Sequence, residues 1–321
     1  MTHLYKTTSA VLMAALMVGG NAVYADMWAS PAPDCMDSCA VECNNCCNEN
    51  FWVSGDVLYL TACEGGFGCA FGSTAIESTV SNGQVITSIA EEDRDIDFDW
   101  DVGFRVGAGY RFDCSCWDAS IYWTHFNENG SGHDCESSAK WKLRFNEVDA
   151  LLGYTFKYND CFNIRPFFGA RYAKINQSLD TNLVSTVLVV ATNASSIVTT
   201  TDSDTEHFWG AGPVLGFDAN FLLGCGFSVY GNLAGSLLYG EFKDEFNDSN
   251  VFTAAVNNCV ASKKSCGVLY GLDGGIGVRY EMCYATFQVG LEQHTYFDYN
   301  QIGCGGDLNL YGVNASVIVR F

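Results

Sequence analysis

The sequence predicts an all-β fold, an antiparallel transmembrane β-barrel of about ten strands, within a range of about 8 to 14. Three observations predict it. Hydrophobicity alternates with a period of two from Phe51 onward. The alternating runs exceed the roughly 5 or 6 residues of a soluble strand and reach the roughly 9–11 that a membrane strand needs. The connections between them alternate between short and long, which matches short periplasmic turns and long extracellular loops.

Two segments precede the barrel. Residues 1–25 have the plan of a signal peptide: Lys6, an apolar stretch over Ala10–Val18, and Val23-Tyr24-Ala25 before a cleavage ahead of Asp26. That apolar stretch is far short of the roughly 20 residues a spanning helix needs. Residues 26–50 form a cysteine-rich segment, and an even strand number places it in the periplasm. Residues 51–321 are the barrel.

Strands are expected near 51–61, 100–113, 116–126, 140–157, 161–176, 207–220, 225–241, 266–282, 283–297 and 307–321. The clearest puts Val102, Phe104, Val106, Ala108 and Tyr110 on one face and Gly103, Arg105, Gly107, Gly109 and Arg111 on the other. In 140–157 the apolar phase changes, from Trp141, Leu143 and Phe145 to Val148, Ala150 and Leu152, which suggests a bulge. Segment 74–98 has room for a further hairpin. Long loops are expected at 62–99, 127–139, 177–206, 242–265 and 298–306.

The apolar face should meet lipid, with girdle aromatics Trp100, Tyr110, Phe112, Trp117, Trp123, Trp141, Tyr280, Tyr311 and Phe321 near strand ends. The opposite face carries charges that a lumen can hold in water or as pairs. The lumen-lining candidates are Arg105, Arg111, Arg144, Arg165, Arg171, Asp273, Arg279 and Glu292. One bulge would invert any of these assignments.

The chain has 16 cysteines, all after the signal, and an exported chain with this even number reads as disulfide-bonded. Cys35, Cys39, Cys43, Cys46, Cys47, Cys114, Cys116, Cys161, Cys225 and Cys283 fall on the periplasmic side. Cys63, Cys69, Cys259 and Cys266 fall in or beside outer loops. Bridges should therefore staple the rims. The N-terminal five cannot all pair among themselves, so at least one must reach a cysteine elsewhere, stay free or bond another molecule, and this odd count motivates an intermolecular bridge. Cys43-x-x-Cys46 has the spacing of half a zinc site, but no second pair or histidine follows closely. No metal or cofactor is expected.

Composition excludes other classes. Lys+Arg 16 against Asp+Glu 37 gives a net charge of −21, which rules out a nucleic-acid binder that works by phosphate neutralisation. Hydrophobic residues at 48% and only 4 prolines argue against disorder. An enzyme is not expected. The histidines His125, His133, His207 and His294 are few, and no spacing singles out a nucleophile such as Ser236. The run Glu91–Asp97 lacks the glycine turn and carboxylate spacing of a calcium loop.

Four stretches carry a resemblance: Asp97–Arg105, Arg165–Arg171, His207–Pro213 and Gly231–Gly240. Together and in this order they resemble the Legionella-type major outer membrane protein family of pore-forming barrels, which has cysteine-rich relatives in chlamydia-like bacteria. The resemblance implies a Gram-negative outer-membrane location and porin-like, passive diffusion of small hydrophilic solutes. It also implies that Phe321 is the terminal aromatic read by the barrel assembly machinery. Ten strands would leave a narrow or partly filled lumen, within which the arginines would favour anions locally. The cysteine-rich segment supports a second class of function: a structural surface barrel, cross-linked by disulfides to envelope proteins or to itself, with adhesin or receptor loops and little conductance. The expected partners are outer-membrane lipid, the assembly machinery and such disulfide-linked proteins, and no nucleic acid.

Overall fold

The computed structural model describes residues 50–64, 73–81, 84–92, 97–113, 115–134, 137–189, 194–252, 255–282, 284–300 and 306–321. The expected signal peptide, the 35–47 cysteines, and Cys69, Cys114 and Cys283 lie outside the described residues.

Fourteen strands run in chain order: β1 Phe51–Glu64, β2 Ser73–Ser81, β3 Gln84–Glu92, β4 Asp97–Phe98, β5 Asp101–Arg111, β6 Trp117–Asp134, β7 Ser137–Tyr154, β8 Phe156–Lys157, β9 Phe162–Val189, β10 Ala194–Gly224, β11 Phe227–Phe252, β12 Ala255–Glu281, β13 Ala285–Asn300 and β14 Gly306–Arg320. Ten of them make the wall, in the order β1-β5-β6-β7-β9-β10-β11-β12-β13-β14, and β14 pairs back onto β1. Every wall pairing is antiparallel. Closure leaves no strand edge for lipid to meet. Phe51 and Phe321 seal the seam, with the Phe321 amide donating to the Phe51 carbonyl at 2.8 Å. The 73–92 segment does hold a hairpin, β2–β3, which forms its own two-stranded sheet outside the wall.

The turns at the chain-terminus end are tight. Between β10 and β11 the turn residues Cys225 and Gly226 have φ of 53° and 81°. Two successive positive φ values give the hairpin twist that matches paired strands. At the other end the wall extends further than expected. β9, β10, β11 and β12 are 28, 31, 26 and 27 residues long, against the roughly 9–11 that cross a bilayer. Most of 127–139, 177–206 and 242–265 is therefore strand rather than loop. Threonine- and valine-rich stretches such as Val198–Thr201 find a paired partner along their whole length, Val198↔Ser185 to Thr201↔Asn182.

The expected bulge in 140–157 is absent. β7 pairs residue for residue with β6, from Trp117↔Tyr154 to Asp134↔Ser137. What changes is the environment. In the lower half the outward residues are apolar, as at Ile121, Trp123, Phe168 and Leu215, all exposed. In the upper half the phase reverses: Trp141, Leu143 and Phe145 point inward and are buried, while Lys142 and Arg144 point outward. Below the interface the outer surface faces acyl chains; above it the outer surface faces water, so the same strand inverts its pattern without a kink.

Aromatic girdles edge the apolar band. At the outer side Trp100 stacks on Tyr59 at 5.2 Å and Phe104 meets Trp123 at 5.2 Å. At the periplasmic side Trp117 meets Tyr154 at 5.0 Å and Phe227 meets Tyr280 at 4.7 Å. Trp141, expected in a girdle, is instead fully buried inside the barrel.

Candidate functional site

The interior is the candidate site, and it is layered. Nearest the periplasm, Arg165 on β9 bridges Asp118 on β6 and Asp218 on β10, the latter at 2.8 Å. In the same region Arg279 faces Glu281 at 3.7 Å and lies over the Tyr230 ring at 5.3 Å. Glycines on the inward face make room for large rings. A Cβ at Gly107 or Gly109 would run into the Tyr122 or Trp52 ring, respectively.

The middle layer is one connected ionic network. Arg171 donates to Asp149 at 2.7 and 2.8 Å, to Asp273, and lies 3.2 Å from Glu147. Asp273 also meets His294 at 2.8 Å, and His294 lies 3.4 Å from Glu292. Glu292 accepts from Arg105 at 3.1 Å and from Asn314 at 2.7 Å, and Arg105 reaches Asp56 at 3.5 Å. Arg171 and Asp273 belong to β9 and β12, three strands apart around the wall, so this bond crosses the lumen. The Arg105–Glu292 pair, from β5 to β13, makes a second crossing.

A third crossing spans the full diameter. Tyr296 on β13 donates to Glu147 on β7, five strands away in either direction around a ten-strand wall. Above it sits a tier of apolar side chains supplied by every wall strand except β5, including Leu58, Phe126, Trp141, Phe145, Ile175, Phe208, Leu238 and Tyr299. Several polar groups within this tier are held by local bonds. Glu128 accepts from the Ala62 amide at 2.7 Å; Gln177 donates to Glu206 at 2.7 Å and accepts from Trp141 at 3.4 Å. Burial without such partners would be costly.

Of the eight lumen candidates, Arg105, Arg165, Arg171, Asp273, Arg279 and Glu292 lie in this network or the layer below it. Arg111 shares the inward face with Arg105 but is the last residue of β5 and is exposed at the rim. Arg144 is corrected: it is exposed on the outer surface, because the expected phase slip is a change of environment. Each inward arginine of the two layers contacts a carboxylate, which offsets the positive charge on which an anion preference would rest. Sequence reasoning passed over Asp56, Glu147, Asp149, His294 and Tyr296. Their signal was available, since Glu147 and Asp149 oppose the lipid-facing Val148 and Ala150. Among the cysteines, Cys161 sits half-buried at a periplasmic turn and Cys266 is exposed toward the outer end of β12, both with free thiols. Cys63, Cys116 and Cys225 also lie at rims, and the side chain of Cys259 lies outside the described residues.

No curated protein matches the sequence. Among solved structures, the outer membrane protease OmpT from Escherichia coli is similar with TM-score 0.48 and 10% identity, over 85% of this chain and 97% of that one. Neisserial surface protein A has TM-score 0.31 and 14% identity, over 84% of this chain and 97% of that one. OprG from Pseudomonas aeruginosa has TM-score 0.28 and 13% identity, over 84% and 95%. Residues 44–310 match the family described as the Legionella pneumophila major outer membrane protein precursor. That match spans most of the chain, all ten wall strands contribute to it, and the chain therefore belongs to this outer-membrane family.

Proposed function

We propose that the chain is a sealed envelope barrel: a structural, surface-presenting member of its family that passes hydrophilic solutes only when its interior tiers part. The observation that carries this reading is the Tyr296–Glu147 bond across the diameter, roofed by the apolar tier. A hydrated solute would have to break buried hydrogen bonds and displace close-packed rings. The long outer strands β9 to β12 supply a large surface for contact with other cells or molecules. The role is non-enzymatic on this reading, because the His294–Asp273 pair is committed to Arg171 and Glu292 beneath the apolar tier. Disulfide stapling to envelope partners or to a second copy belongs to the same proposal. The cysteine-rich 26–50 segment and the free thiols at Cys161 and Cys266 support it.

The second reading is the porin-like one, passive diffusion of small hydrophilic solutes. The ionic lining from Arg165 up to Arg105 favours it, since such groups suit water and ions better than a dry core does. Liposome swelling separates the two. The sealed reading expects swelling in small sugars at the rate of protein-free vesicles, and faster swelling for Trp141→Ala/Tyr296→Ala. Rapid swelling with the unaltered chain would establish the porin reading instead.

A further inference from the structure

The outward-facing cations are not scattered. Lys142 and Arg144 on β7 and Lys174 on β9 all point away from the barrel and are exposed. The register makes them neighbours: Lys142 opposes Ser178, Arg144 opposes Asn176, and Asn146 opposes Lys174. Same-face neighbours along a strand are about 7 Å apart and diagonal neighbours about 7–8 Å, so Arg144 has a lysine on either side and the three cations form one diagonal row whose ends are roughly 14 Å apart. Among the described residues no ion pair engages any of the three.

The strands on either side contribute neutral outward neighbours. On β6 the outward neighbours are Asn127 and Asn129; on β10 they are Thr205 and His207. Asp180 is outward too, opposite Lys140 and diagonal to Lys142 at the end of the row away from Lys174, and Glu241 and Glu245 on β11 are already paired with Lys264 and Lys243. In a chain of net charge −21 three successive outward cations stand out. The row also sits at a defined depth. Tyr172 is the outward residue immediately below Lys174 on β9, and Trp209 is the register partner of Lys174; both are exposed aromatics at the upper edge of the apolar band. Aromatic side chains of this kind mark the headgroup level of a bilayer.

We infer that this row is a docking surface for the phosphate groups of outer-leaflet lipid headgroups. Arg144 offers a planar fork that suits a phosphate in bidentate fashion, and the two lysines add point charges on either side. Juxtamembrane cations gain from anionic headgroups at this depth, and the neutral amides and hydroxyls around them can donate further hydrogen bonds. The lumen plays no part, so the inference stands whether or not the barrel conducts.

The test uses the full folded chain in zwitterionic detergent, titrated with diphosphoryl lipid A and with the same lipid after phosphate removal. The triple variant Lys142→Gln/Arg144→Gln/Lys174→Gln is compared with Lys157→Gln, which alters a cation at the opposite end of the barrel. Heat-modifiable electrophoretic mobility establishes that each barrel is folded. The phosphorylated lipid should bind roughly tenfold or more tightly than its phosphate-free form, and added salt should reduce the difference. The triple variant should lose that preference while Lys157→Gln keeps it. Equal binding of both lipids to the unaltered chain, or a triple variant that still discriminates, would overturn the inference. Displacement of the lipid by excess inorganic phosphate would overturn it as well, because the surface would then be a free-phosphate site.

Discussion

Tyr296 and Glu147 stand on opposite walls of the barrel and share a hydrogen bond across its axis. The pair ties β13 to β7 without help from any intervening strand. It also sets the boundary between the ionic network below and the apolar tier above. Tyr296→Phe leaves the ring and removes the donor, so the buried Glu147 oxygen loses one partner and keeps only Arg171, 3.2 Å away. The expected cost is about 1–3 kcal/mol, measured as a lower urea midpoint for the barrel in lipid vesicles. An unchanged midpoint would show that the bond contributes nothing net.

Arg171 and Arg144 make a paired test of the two faces. Arg171 is 4% exposed and meets Asp149, Glu147 and Asp273. Arg171→Ala leaves those carboxylates uncompensated and should cost about 3–5 kcal/mol. Arg144→Ala, on the wetted outer surface, should fall within about 0.5 kcal/mol of the unaltered chain. The same denaturation series reads both, and similar losses at the two positions would place Arg144 inside the barrel.

Val289 tests the lipid-facing surface. It points outward from β13, 57% exposed, between Phe287 and Leu291. Val289→Arg should destabilise the folded, membrane-inserted barrel by about 2–4 kcal/mol, the cost of a cation near the bilayer midplane. A neutral effect would mean that this face meets water.

Cys266 and Cys161 test orientation. Cys266 lies on the outward face of β12 beyond the apolar band, and Cys161 lies at a turn on the end of the barrel where Phe51 meets Phe321. After mild reduction, a membrane-impermeant maleimide added to intact cells should label the peptide holding Cys266 and spare the one holding Cys161. The reverse pattern would invert the barrel in the membrane.

Much of this was legible in the sequence, and for a definite reason. The membrane fixes strand length and side-chain period, so runs such as Val102–Tyr110 declare both strand and face. Turn positions followed from the breaks between those runs, as at Gly224. Legibility stopped where the strands leave the bilayer. There the outer surface is wet and the inner one packed, so Trp141, Leu143 and Phe145 reverse the rule that held for Ile121 and Trp123. Read as one continuous rule, that reversal looked like a bulge and put Arg144 on the wrong face. The ionic network was half legible. Alternation assigns Arg105 and Arg171 to the interior, but which carboxylate each meets depends on the register around a closed wall, and the period of one strand does not encode that. The filling of the lumen was the least legible feature, because Tyr296 and Glu147 are 149 residues apart and only closure brings them together.

Single-channel recording tests the central claim most directly. The unaltered chain, refolded and inserted in a planar bilayer, should give a quiet baseline, with at most brief and rare openings. Tyr296→Ala combined with Trp141→Ala should give frequent steps under the same voltage. Sustained large steps from the unaltered chain would contradict a barrel sealed by its own side chains.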